Sequence, residues 1–192
     1  DAAFLTGLER NSDLVLMSCY ALLFVNVNPG GMQWKSDLIG YNTLTSFGSP
    51  AYHVQKIFNA NLGDQTIVID TKDLPTQIKN PNARDSARGI GPKTIPAMFF
   101  SASKNSKTGM IYLKVVNSAA TAQNLKIDML GNVKLAATAT AITLKADHTE
   151  DTNSITEPNK IIPVTSGVKG IKKSFQQSFP AYSITVLQLQ IK

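Results

Sequence analysis

The chain has 192 residues, 43% of them apolar, which is enough for a packed core in one large domain or in one domain and part of another. Its single cysteine excludes an internal disulfide. The formal net charge of +6 comes from bases placed singly, with only Lys169, Lys172 and Lys173 close together, and no aromatics interleave with them. That pattern argues against a nucleic-acid partner, and the lysines read as a solvated surface that protects edge strands. No apolar run is long enough to cross a membrane. The charge is uneven. Residues 1–64 hold five acids and three bases, a net of −2, and residues 65–192 hold eight acids and sixteen bases, a net of +8. This break places a domain boundary near Asp64, giving units 1–63 and 64–192.

Residues 1–10 read as a helix with Phe4, Leu5 and Leu8 on its apolar side and Arg10 and Asn11 at its C-terminus. The first residue is not Met and lies inside this helical pattern, which suggests a piece of a longer protein. An apolar run from Leu14 to Val27 follows and lacks alternation, so it is expected as a strand buried on both faces, with Cys19 a buried inert thiol. Asn28-Pro29-Gly30-Gly31 is a strong turn signal. The loop after it carries Trp34, the only tryptophan, with Met32, Gln33, Asp37, Tyr41 and Asn42. A buried strand ending in a polar, aromatic loop is where an α/β protein builds a ligand site. Ser49 and Pro50 then suit an N-cap and first helical position, and the helix that follows points Tyr52, Val54, Ile57 and Phe58 inward and stops near Gly63. Helix, buried strand, loop and helix together form the repeat unit of a (β/α) barrel.

After Gly63 the period changes to two. Strands are expected at 66–70, 97–103, 110–117, 124–130, 135–144, 160–164, 170–175 and 182–191, separated by turn clusters, which argues for an antiparallel β-sandwich. Residues 75–93 are polar and rich in Gly, Pro and Asn and are expected as a mobile loop, as are residues 147–159.

Several stretches together resemble one family. AAFLTGLERNSDLV, SCYALLFVNVN, QWKSDLIGYN and GSPAYHVQKIF resemble the end of the catalytic domain of α-L-arabinofuranosidases of glycoside hydrolase family fifty-one. SASKNSKTGMIYLKVVN, EDTNSITEPNKIIPV and FPAYSITVLQL resemble the C-terminal sandwich of the same enzymes. The resemblance implies a mostly β fold, an antiparallel jelly-roll-like β-sandwich preceded by the last helix–strand–helix unit of a (β/α)₈ barrel. It implies a retaining glycosidase acting on an arabinose-containing polysaccharide or oligosaccharide, with a nucleophile and an acid/base carboxyl roughly 5 Å apart. In the family both catalytic glutamates precede the stretch that starts here. Glu9, Glu150 and Glu157, the three glutamates of this chain, match no catalytic motif, and Glu9 is expected to be solvated on a helix. The remainder of the catalytic barrel is then the implied partner, and the resemblance implies no cofactor.

The wall beneath the last barrel strand is what this chain would contribute. Asn26 and Asn28 stand at the strand's C-terminal end, where sugar hydroxyls need amide donors and acceptors. Trp34 offers a flat face for stacking on a sugar. Tyr20 and Gln33 are weaker candidates, and Asp37 lies near the loop without a second carboxylate opposite it. For each of these the plain alternative is packing or loop capping. Relatives often carry proline after the Tyr-Ala of this strand, whereas Leu22 follows Ala21 here. His53 and His148 are in different contexts, and neither has the spacing of a zinc site. No G-x-S-x-G or Cys–His nucleophile pair occurs. The competing readings are a non-catalytic carbohydrate-binding or structural β-sandwich module and a protein-interaction module. A sugar-binding sandwich needs flat aromatics facing outward. Phe99, Phe100, Tyr112, Phe175, Phe179 and Tyr182 read as core instead, which favours a structural role for the sandwich.

Overall fold

In the computed structural model, which describes residues 1–32, 34 and 37–192, the chain begins with α1 (Ala2–Arg10), β1 (Phe24–Asn26), β2 (Ile39–Tyr41), β3 (Ser46–Gly48) and α2 (Pro50–Ala60). It continues through β4 (Gln65–Thr66), β5 (Thr76–Lys79), α3 (Ala83–Ala87) and β6 (Lys93–Pro96). The remaining strands are β7 (Met98–Lys104), β8 (Met110–Asn117), β9 (Gln123–Asp128), β10 (Thr138–Lys145), β11 (Val164–Lys169), β12 (Ser174–Phe179) and β13 (Ser183–Gln190). Six of them form the main sheet in the order β11-β10-β13-β8-β7-β4, every neighbouring pair antiparallel.

The main sheet is covered on both faces. The antiparallel ribbon β9–β12 lays Phe175 and Phe179 on one face, against Ile111, Leu113 and Val115 of β8 and Leu187 and Leu189 of β13. On the other face α1 and α2 bring Leu5, Val54, Ile57 and Phe58 onto Val116, Leu144, Ile184 and Val186. Side chains alternate between the faces of a strand, so both parities of the central strands are apolar, and β8 and β13 lack a solvent face. Each aliphatic side chain buried this way contributes about 1.5–3 kcal/mol. The two helices of the first 63 residues therefore share a core with the sheet.

Local chemistry places the elements. The Ser49 hydroxyl accepts from the Tyr52 N–H at 3.2 Å and starts α2, with Pro50 at its first position. Asn61 ends it: its amide donates to the Ile57 carbonyl at 2.8 Å and its oxygen accepts from Gln188 at 2.7 Å, tying the helix to β13. Gly63 passes so close to β7 that a Cβ there would stand 2.4 Å from the Lys104 carbonyl, so only glycine fits. The β7–β8 turn closes on Asn105, whose side chain accepts from the N–H groups of Lys107 and Thr108, with Gly109 at φ +70°.

Several expectations are corrected. The run from Leu14 to Val27 is not a strand buried on both faces. Only Phe24–Asn26 is strand, and Leu14, Leu16, Met17 and Phe24 are exposed. Cover on both faces comes from neighbouring strands and helices, whereas among the described residues β1 pairs only with β2, in parallel. Cys19 in this run is exposed, not buried. Phe4 points away from the α1 packing face and is 71% exposed. The stretch 75–93 is not an irregular loop: β5 and β6 pair as a hairpin with α3 near its tip, capped by Asn82. The strands expected at 160–164 and 170–175 lie at Val164–Lys169 and Ser174–Phe179. Residues 147–159 contain no strand, yet they are held by Asn153, which is 2% exposed. Its amide donates to the carbonyls of Gly48 (2.8 Å) and Ile161 (2.9 Å), and its oxygen accepts from the Ile161 N–H (2.7 Å).

Two charge expectations also fail. Lys114 on β8 is fully buried on the helix-covered face rather than solvated. Its ammonium donates to Glu9 on α1 and to the Phe58 carbonyl at 3.3 Å, and it stands 4.7 Å from the centre of the Phe58 ring. Glu9, expected in solvent, also accepts from the Ser101 hydroxyl at 2.5 Å. An ammonium has no other way to be charged inside a sheet-to-helix interface, since unpaired burial is prohibitive.

Candidate functional site

The loop between β1 and β2 starts at the C-terminal end of β1, the end at which parallel strands of α/β proteins carry ligands. Asn26, the last residue of β1, turns its side-chain oxygen onto the Asn28 N–H at 3.0 Å. The turn continues with Gly31 N–H donating to the Asn28 carbonyl at 2.8 Å and Gly30 at φ +77°. A Cβ at Gly31 would lie 3.0 Å from Cγ of Asn26, so the glycine lets the loop fold back over that side chain. Asn26 is half-buried and Asn28 exposed. The structure thus joins these two predicted residues in one turn, where the Asn26 oxygen caps the loop. Trp34 lies further along the same loop and is 63% exposed. Tyr20 donates to Asp1 at 3.3 Å, and Gln33 lies outside the described residues.

Asp37 is the residue that sequence reasoning undervalued. It is 5% exposed, and among the described residues neither carboxylate oxygen has a hydrogen-bond partner. It sits two residues before β2, where the Leu38 N–H bonds the Leu22 carbonyl at 3.3 Å and so fixes the loop's return to the strand pair. Leaving a buried polar group unsatisfied costs about 1–3 kcal/mol, and more if charged. Such an orphan is a common mark of a site that another molecule completes. Its signal in the sequence was only a lone acid after the aromatic loop.

The three glutamates do not form a catalytic pair. Glu9 is held by Lys114 and Ser101, Glu150 accepts from Thr149 at 2.5 Å, and Glu157 is exposed in the 147–159 loop. Burial and the nearby Lys56 charge lower the pKa of His53 below its ordinary value. His148 lies 3.5 Å from Asp151, which also pairs with Lys160 at 3.0 Å. Among the described residues no group of three or more metal-ligating side chains converges, and no helix is long and apolar enough to cross a membrane. The six sandwich aromatics read as core are buried or half-buried, none exposed.

Comparison with known proteins agrees with this architecture. The family model described as "Alpha-L-arabinofuranosidase C-terminal domain" matches residues 1–183. Alpha-L-arabinofuranosidase 1 of Arabidopsis thaliana is 29% identical over 192 residues, covering 98% of this chain and 25% of that protein. Alpha-L-arabinofuranosidase A of Aspergillus niger is 32% identical over 190 residues, covering 97% and 26%. The chain thus spans about a quarter of the length of these relatives. Among solved structures, an arabinose-bound α-L-arabinofuranosidase of glycoside hydrolase family 51 superposes with a TM-score of 0.78 at 28% identity, over 100% of this chain and 27% of that one. The family 51 enzyme of Thermotoga petrophila gives 0.75 at 18% identity, over 97% and 37%, and shares the fold. The chain belongs to the α-L-arabinofuranosidase C-terminal domain family.

Proposed function

We propose that this chain is the C-terminal segment of a retaining α-L-arabinofuranosidase that releases terminal arabinofuranosyl residues from arabinan or arabinoxylan. Residues 1–63 supply the end of a (β/α)₈ catalytic barrel and residues 64–192 the sandwich that braces it. The family membership and the resemblance of the opening stretches support this reading, together with the exposed apolar run beside β1, which suits a strand waiting for neighbours.

The reaction needs two carboxyls about 5 Å apart, one attacking the anomeric carbon and one protonating the leaving oxygen. Both lie outside this chain in the reading proposed. Its own residues bind and orient: the Asp37 carboxylate accepts hydrogen bonds from ring hydroxyls, the Asn26 and Asn28 side chains exchange further ones, and Trp34 presents an apolar face. The single observation that carries the site is the buried Asp37, which has no hydrogen-bond partner among the described residues; sugar hydroxyls would supply such donors. Phe175 and Phe179 are buried and the other four sandwich aromatics half-buried, so none presents the exposed flat face that an aromatic sugar-binding platform needs.

The test uses the full-length protein and an aryl α-L-arabinofuranoside. Asp37→Ala is expected to lower kcat/KM by roughly ten- to a hundredfold, the loss of a charge-assisted hydrogen bond. The isolated 192-residue chain is expected to be inactive. Unchanged kinetics for Asp37→Ala would remove Asp37 from the site, and turnover by the isolated chain that is lost on mutating Glu9, Glu150 or Glu157 would overturn the assignment of catalysis.

A further inference from the structure

The β5–β6 hairpin is a basic arm whose cations form no ion pair among the described residues. Residues 75–96 carry Lys79, Arg84, Arg88 and Lys93 against one acid, Asp85, a net charge of +3. All four cations are exposed, and among the described residues none forms an ion pair. Their placement is not that of a dispersed solvated surface. Lys79 and Lys93 are direct partners across the antiparallel ladder, where side chains stand closest and like charges repel. Arg84 and Arg88 are four residues apart, so α3 and its C-cap carry both on one side. The hairpin thus places its cations in two like-charged pairs, an arrangement that an anion beside either pair would favour.

The lysine pair adjoins a cleft. Gln77, Lys79, Lys93 and Ile95 share one face of the hairpin, since they alternate along paired strands. Gln77 donates to the Ser118 hydroxyl at 2.7 Å, which turns that face toward the end of the main sheet. Between them lies an open cleft of about 340 Å³ lined by Gln77, Ile78, Lys79, Ile95, Phe99 and Ser118; Lys93 does not line it but stands opposite Lys79 across the ladder. Half-buried Ile95 and Phe99 give it an apolar floor, and Gln77 and Ser118 give it hydrogen-bonding walls.

We propose that this arm binds a carboxylate-bearing polysaccharide, a polyuronate. One sugar ring rests its C–H face on Ile95 and Phe99 while its carboxylate bridges Lys79 and Lys93, and a following carboxylate reaches Arg84 and Arg88. A polymer with a charge on every residue engages both pairs at once, which multiplies weak contacts. Of the residues lining the cleft only Phe99 is aromatic, too few for a run of stacked bases, so a nucleic acid is the poorer fit. The choice of a sugar polymer rests on the glycosidase reading above. The arm would hold the enzyme on an acidic matrix carrying its neutral substrate.

Affinity electrophoresis of the full-length protein through native gels containing polygalacturonate, neutral arabinan or single-stranded DNA tests this without any turnover, so a failure here leaves the arabinofuranosidase reading to its own assay. Polygalacturonate is expected to retard the protein, with the retardation lost at high salt, and neutral arabinan is not. The double variants Lys79→Gln/Lys93→Gln and Arg84→Gln/Arg88→Gln are each expected to weaken binding at least tenfold, with melting temperature unchanged or raised and activity on the aryl arabinofuranoside unchanged. No retardation by polygalacturonate, equal retardation by arabinan, stronger retardation by DNA, or full binding by both variants would overturn the proposal.

Discussion

The Lys114 ammonium, fully buried on β8, is paired with the Glu9 carboxylate of α1, so a charge inside the sheet-to-helix interface is neutralised by a residue 105 positions away. The pair joins the first helix to the central strand of the sandwich. Ser101 and the Phe58 carbonyl supply the remaining hydrogen bonds, and the Phe58 ring lies beside the ammonium. A buried pair is weak evidence for net stability but strong evidence of a penalty for breaking it.

Glu9→Ala should therefore destabilise the protein by about 3 kcal/mol, because it leaves an ammonium buried alone. The double variant Glu9→Leu/Lys114→Met should recover most of that loss. Denaturant unfolding of the three proteins measures both. The pH dependence gives a second check. Burial holds the Lys114 pKa below its ordinary 10.5, with the charge of Glu9 opposing the shift. Between the folded value and 10.5 the unfolded chain binds more protons, so rising pH stabilises the parent relative to Lys114→Met. A parent that loses ground over that window would contradict the buried position of Lys114.

Asp37 should show a trade between stability and function. Replacing a buried carboxylate that has no partner among the described residues removes a desolvation cost, so Asp37→Leu is expected to raise stability by about 1–3 kcal/mol while reducing turnover in the full-length protein. A loss of stability on this substitution would mean that Asp37 has a structural partner in the folded protein.

Hydrogen exchange should separate the chain into unequal parts. Met110–Asn117 and Ser183–Gln190 are hydrogen-bonded on both edges and buried on both faces, and should be the most protected. Helix α2, which packs on them, should follow. Residues 14–26 in the isolated chain should exchange fast, since Leu14, Leu16 and Met17 are exposed and β1 pairs on one edge only among the described residues. Equal protection across all three segments would show one cooperative unit and would remove the proposed division at residue 63.

Some elements were legible in the sequence because local chemistry dictates them. The period-two run at 110–117 matched β8 to the residue, and Ser49-Pro50 capped α2 where expected. Turn residues and side-chain alternation act within a few positions of each other, so no partner is needed to read them. Family membership was legible for the same reason, through contiguous stretches of side chains. The tertiary structure alone decided the rest. The hairpin at 76–96 is built from polar, Gly- and Pro-rich residues whose pairing appears only once Lys79 meets Lys93 across it. Lys114 and Glu9 each look solvated in sequence, and their burial depends on helix and sheet arriving at the same place. Asp37 is an ordinary acid in the sequence and is buried only in the fold, and the exposure of Leu14, Leu16, Met17, Leu22, Leu23 and Phe24 reflects cover that no described residue of this chain provides. Burial and partnership over long separations are set by packing, and a one-dimensional pattern does not contain them.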